Sequence, residues 1–319
     1  MIHLLLLAGT LHAQELAVLL KGASAMAFYT MDGKEIARTA VRPHPHEMVF
    51  SADGRYLYTT DNGTMRIEQE GTGGNFVSII DVKARKKIGE IDLGKYRRPH
   101  GIDLDRATGK LAVTTELPDQ LLWIDPKTKK IERTYTTGGK TPHMVVLGPG
   151  AKQAYISHSN SGNVTIIDLA SGAIKSLPTG TRPEGSVLSS DGKRVYVVNR
   201  ESAKVTVIDT ATQSIAGTIP TSKGPVRISR TPDGKQVIVA CMHDEVVEFA
   251  DTATLKVTGR TEKLPGPLVS LTVSPDGKYA FASAEERGIV YVISIADRKV
   301  ARKLTLPKDA HPDPVFQLP

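Results

Sequence analysis

The run GTRPEGSVLSSDGKRVYVVNRESAKVTVIDTATQSIAGTI, residues 180–219, decides the fold. It reads as four short apolar strands: A over 184–189, B over 194–198, C over 204–208 and D over 214–219. Ser190-Asp191-Gly192-Lys193 turns A into B, and Asp209-Thr210-Ala211-Thr212 turns C into D. Short β-branched runs joined by Asp-Gly turns predict antiparallel hairpins. The pattern then recurs outward along the chain. Pro45-His46, Pro99-His100, Pro142-His143, Pro183-Glu184, Pro225-Val226 and Pro267-Leu268 each open an apolar run, and the prolines lie 54, 43, 41, 42 and 42 residues apart. A period near forty built from short strands signals a radial array of small sheets.

Residues 16–42 hold three strands without an opening Pro-x strand, and the missing strand lies at the far end, in Pro312-Asp313-Pro314-Val315-Phe316. Pairing the last strand with the first blade removes an exposed sheet edge. The prediction is an all-β, seven-bladed propeller of four-stranded antiparallel blades, one domain over 14–319. Residues 1–13 read as a secretory signal, an apolar run ending in Ala13-Gln14. Export to the periplasm or medium is therefore expected.

Composition narrows the function. The single cysteine, Cys241, forbids an internal disulfide and a thiolate zinc site. Aromatics make up 5%, too few for base-stacking platforms. The net charge of +7 falls on both faces of the expected toroid, and no nucleic-acid motif accompanies it. No apolar run approaches the ~20 residues of a membrane span. Walker, Gly-x-Ser-x-Gly, Cys-x-x-Cys-His and helix-opening GxGxxG motifs are absent.

The pattern Pro-x-Gly…Ser-x-Asp-Gly-Lys-x-Val-Tyr-Val-x-Asn…Val-x-Val-Ile-Asp resembles the YVTN-repeat β-propeller family over nearly the whole chain. That family includes surface-layer-type propellers and relatives of lactonases, virginiamycin-type lyases and the haem d1 propeller. The resemblance implies the fold and leaves the chemistry open between lyase, lactonase-like hydrolase and a non-catalytic scaffold, because one propeller hosts many functions.

In an up-and-down blade, the D–A and B–C connections share one face. The strand-A openers His46, His100, His143, Glu184, Val226 and Leu268, with Asp313 or His311, therefore meet at one end of the axis. The strand-B closers are aligned as Asp61, Glu116, His158, Asn199, Cys241 and Ala284. Three imidazoles with a carboxylate suit zinc, copper, iron or nickel. His46, His100, His143 and Glu184 are thus the candidate ligands of a divalent metal cofactor. An unligated Glu184 is a candidate general base, and Glu116, Asp61 and His158 are candidates to orient the imidazoles. The competing reading is that the histidines only fill the channel.

A glycine-rich insertion over 62–75 lies in a B–C connection, where it reads as a lid carrying Arg66. Lys21, Arg42, Arg97, Arg98, Lys140, Arg182 and Lys223 rim the same face, a pattern that favours a small anionic ligand. His243 and Glu285 lie in B–C loops within reach of that rim. Basic hairpins at 83–87, 127–130 and 298–299 fall on the other face, where contact with an anionic envelope polymer is the sharper alternative to simple solvation. Tyr58, Tyr155 and Tyr196 are expected between blades.

Overall fold

A computed structural model describes residues 14–319; the signal-like segment 1–13 lies outside the described residues. Seven four-stranded antiparallel sheets form the ring of a β-propeller. Blade one joins Pro312–Gln317 to Glu15–Leu20, Ala25–Thr30 and Glu35–Ala40, which is the expected closure by the C-terminal strand. Blades two to seven run in chain order over 45–92, 97–136, 142–178, 183–220, 225–260 and 268–305. Among the described residues, no helix is long and apolar enough to cross a membrane.

The turns follow from local hydrogen bonding. In the A–B turn of blade two, Ser51 Oγ donates to Asp53 Oδ1 (2.6 Å), Asp53 Oδ1 accepts from Arg55 N (3.1 Å) and Ser51 Oγ accepts from Tyr56 N (2.9 Å). Blades five, six and seven repeat the motif around Asp191, Asp233 and Asp276. Gly54 closes the first of these turns at φ 70°, a conformation that a side chain resists. In the C–D turns, Asp81, Asp168 and Asp209 accept backbone amides, as the sequence predicts.

Every seam between blades holds its own apolar cluster. Tyr155 and Ile166 of blade four meet Val195 and Val197 of blade five; Tyr58 and Tyr196 fill other seams. Blades three and four approach so closely at the axis that a Cβ on Gly101 would lie 2.6 Å from His143 O and 2.8 Å from Met144 Cα. Backbone cannot yield as a side chain does. Gly101→Ala should therefore destabilise the fold by about 1–3 kcal/mol through overpacking. A thermal melt checks this, and an unchanged midpoint would refute the close contact.

Two irregularities recur in the inner strands. Each is bulged near its start: in blade two, Pro45 pairs with Asp61 but Met48 pairs with Thr59. The same shift appears in the other six. Each bulge spares one residue from the ladder, so consecutive side chains can both face the axis. The residue entering the strand also sits at positive φ in six blades, at His44, Arg98, Thr141, Arg182, Gly224 and His311.

Candidate functional site

The pairing fixes which side chains share a level of the hub. Counting from the bulge, His46, His100, His143, Glu184, Val226, Val269 and Asp313 are equivalent. The seventh-blade opener is thus Val269, one residue past the expected Leu268, because Leu268 takes the ladder position that proline holds elsewhere. Backbone at this level is pinned across the seams. Thr60 Oγ1 donates to His100 O (2.6 Å), Thr114 to His143 O (3.1 Å), Ser157 to Glu184 O (2.5 Å) and Ser283 to Asp313 O (2.8 Å).

The three imidazoles meet as expected. Ring centroids lie 4.6 Å apart for His46–His100, edge to face, and 4.0 Å for His100–His143. His46 Nε2 is 2.7 Å from Thr64 O, and Glu116 Oε1 is 3.0 Å from His100 Nδ1. His100 Nε2 and His143 Nδ1 are buried without a partner. Burial first, then Lys21 and His100, hold His46 well below the usual imidazole range. Burial, then His100 and Arg227, do the same for His143. Glu184 is pushed up by burial against the pull of Arg200, Arg227 and Arg182.

Ion pairs enclose the imidazoles. Lys21 Nζ lies 2.8 Å from Asp313 and 3.3 Å from Glu285. Arg227 lies 2.6 Å from Glu47, Arg200 3.1 Å from Glu184, and Arg98 2.7 Å from Glu116. Arg227, Arg200 and Glu47 escape the sequence reading. The bulge explains Glu47 and Arg227, which follow His46 and Val226 directly. Arg200 has a different cause. Lys21, Asn62, Glu116, Ser159, Arg200, Met242 and Glu285 share one position, just past the strand-B residue that faces the inner proline.

That register corrects three expectations. Thr115, not Glu116, faces Pro99, so Glu116 stands one residue further along than Asp61, His158 and Asn199. One step along a strand reverses the side chain. Glu116 therefore reaches His100, whereas the other three turn into their own blades. Asp61 accepts from Ser78 (2.6 Å) and Thr59 (3.2 Å), and Asn199 donates to Thr206 (3.0 Å). His158 is fully buried against Gly139, where a Cβ would lie 2.5 Å from the ring, and burial pushes it down to about 4. His243 is exposed, over Gly224.

The 62–75 insertion lies across the histidine face. Its Ile67 and Gln69 carbonyls accept from Arg98 (2.8 and 3.0 Å), and Arg66 pairs with Glu286 of blade seven. Glu68 reaches blade five, 2.6 Å from Arg182 and 3.9 Å from Arg200. The insertion thus covers the face on which the axial pocket is expected. A cavity of about 660 Å³ opens instead at the opposite mouth, with Glu47 and Arg227 at its inner end and the A–B turns around its rim. Among the described residues, no group of three or more His, Cys, Asp or Glu side chains is arranged to hold a metal ion.

The fold has many solved counterparts. Hydrazine synthase of Kuenenia stuttgartiensis is 20% identical with a TM-score of 0.72, over 88% of this chain and 95% of that one. The dihydro-heme d1 dehydrogenase NirN in complex with DHE is 16% identical with a TM-score of 0.70, over 96% and 75%. A functionally unknown protein from Desulfotomaculum acetoxidans DSM 771 is 14% identical with a TM-score of 0.79, over 95% and 98%. At such identities the likeness shows the propeller alone. No curated protein matches the chain. A family model described as a domain of unknown function, DUF5074, matches residues 104–301.

Proposed function

Since the chain belongs to the DUF5074 family, whose description assigns no activity, we propose from the hub geometry that it is an exported small-ligand-binding propeller taking an anionic molecule, a carboxylate or phosphate, under the 62–75 loop. One observation carries this reading. Glu68, on an inserted loop and 57% exposed at its side chain, places its carboxylate between Arg182 and Arg200. A carboxylate carried on an inserted loop occupies the place that the anionic group of a ligand would take. When it swings out, Arg182 and Arg200 keep the buried Glu184, which burial already biases towards its neutral form. Arg200 also keeps the more exposed Glu201 at 3.2 Å, so Arg182 loses its closest partner. Guanidinium forks match carboxylate and phosphate oxygens in pairs, which is why arginine suits this recognition.

The field at the imidazoles agrees. The charges that act most on His46 and His143 are Lys21, Arg227 and Arg200, besides the other imidazoles. Burial lowers both rings most, and these cations add to it, so the same point disfavours a dication. The neutral rings then serve as hydrogen-bond partners, with His100 Nε2 and His143 Nδ1 unclaimed by protein atoms.

Because the lid competes with the ligand, apparent affinity is the intrinsic affinity reduced by the open fraction. Glu68→Gln should tighten binding of inorganic phosphate or succinate several-fold in calorimetric titration, and Arg182→Gln should weaken it tenfold or more, about 1.4 kcal/mol. Equal affinity in all three proteins would sink the reading.

A second reading, a metal-dependent lyase or lactonase-like hydrolase, is favoured by one contact. Glu116 on His100 Nδ1 is the carboxylate–histidine arrangement that orients a metal ligand through its free Nε2. His46 does not complete a set of three with its Nε2, which lies on the Thr64 carbonyl. Stoichiometric metal in untagged protein, lost in His100→Ala, would carry that reading instead. A chain that binds neither metal nor anion fits the non-catalytic scaffold.

A further inference from the structure

We propose that the cavity at the opposite mouth of the channel is a second ligand site, taking one small molecule with an apolar body and an anionic group. Its volume, about 660 Å³, falls in the range of about 300–1,000 Å³ typical of small-molecule pockets. It is separated from the lidded face by the Glu47–Arg227 pair, which closes its inner end. Met48, Ile102, Val146 and Leu271 from different blades line its walls. Such a surface holds an apolar body by removing it from water.

The rim supplies the charge. Arg106, in the A–B turn of blade three, and Arg230, at the end of the inner strand of blade six, both line the cavity. Arg230 donates to Leu188 O (2.7 Å) and Ser190 Oγ (3.0 Å), both neutral acceptors. Neither guanidinium makes an ion pair among the described residues, in contrast to every arginine of the hub. Burial and the nearby charge of Arg106 hold Arg230 below its ordinary value, a repulsion that a bound anion relieves.

The two aspartates of the wall, Asp103 and Asp105, are both engaged elsewhere, Asp105 accepting from Ala107 N (3.1 Å) and Thr108 Oγ1 (2.5 Å). Asp103 spends both oxygens on backbone amides, of Leu104 and Leu147 at 2.8 Å, and burial pushes it up to about 6. Ser186 Oγ in the same wall is buried without a partner. A cavity with apolar walls, two uncompensated guanidinium groups and an idle hydroxyl matches an amphipathic anion.

Two fluorescent probes with similar aromatic bodies test this: 8-anilinonaphthalene-1-sulfonate, which is anionic, and N-phenyl-1-naphthylamine, which is neutral. The folded chain should bind one molecule of the sulfonate. Arg106→Gln with Arg230→Gln should weaken the sulfonate tenfold or more and leave the neutral probe within twofold. Ser229→Trp, which fills the cavity wall, should abolish both. The single Arg106→Gln, on an exposed turn, keeps the charge readout if a bulkier change disturbs folding. No sulfonate binding, binding indifferent to the arginines, or equal losses for both probes would overturn the site.

Discussion

Arg227→Met is expected to destabilise the fold by about 3–5 kcal/mol, the usual consequence of removing one partner from a buried ion pair. For a chain of this size the melting midpoint should fall by on the order of 10 °C. The guanidinium sits 2.6 Å from Glu47, with both side chains almost wholly buried (12% and 10% exposed), and it also acts on Asp313 and Glu184. Burial alone would lower Arg227; the three carboxylates outweigh it and raise it. Glu47 is raised by burial, and Arg227 is the main group opposing that rise.

Without the arginine, Glu47 must take a proton or remain an uncompensated charge. A carboxyl raised in the folded state stabilises below its unfolded value and loses that contribution as pH rises. The gap between variant and wild type should therefore widen from pH 5 to pH 8. Glu47→Gln combined with Arg227→Met should recover most of the loss. A double variant no more stable than the single one would show that the pairing is not what matters.

Asp61→Asn should act in the opposite direction and stabilise the protein at pH 8. Asp61 is fully buried and pushed up to about 7, chiefly by burial, with Ser78, Lys87 and Thr59 opposing. Moving a carboxyl from about 3.9 to about 7 corresponds to on the order of 4 kcal/mol. The folded chain holds the extra proton between these limits, so this contribution is complete below about 3.9 and is lost as pH climbs through about 7. The asparagine carries no such dependence. The variant should melt several degrees above wild type at pH 8 and level with it near pH 4. A gain independent of pH would refute the account. His46, His143 and His158, all lowered, tilt both proteins alike: they destabilise as pH falls from about 6.5.

The fold was legible because its punctuation is local. Asp191, Asp209 and their equivalents build their turns from neighbouring amides, so their spacing transmits the architecture directly. The composite first blade was legible because Pro312 repeats the opening of Pro45. Site residues demanded more. The bulge that brings Glu47 and Arg227 to the axis comes from the pairing of two strands, which no single stretch announces. Glu116 was recognised, but through an alignment that made it equivalent to Asp61, and the one-residue slip hid Arg200. Thr60, Thr114, Ser157 and Ser283 offered a usable signal: they mark the step before the true strand-B partner in four blades. The cavity on the turn face had none, since Arg106 and Arg230 meet only once the ring closes.

The shared bulge makes the hub behave like a chuck with seven jaws of identical cut. Each jaw offers its insert the same place in the strand pairing, so an imidazole, a carboxylate or a valine occupies it with the ladder around it unchanged. Val226 and Val269 are blank inserts in this sense, two stations of the same ring where new chemistry can be mounted without recutting the ladder.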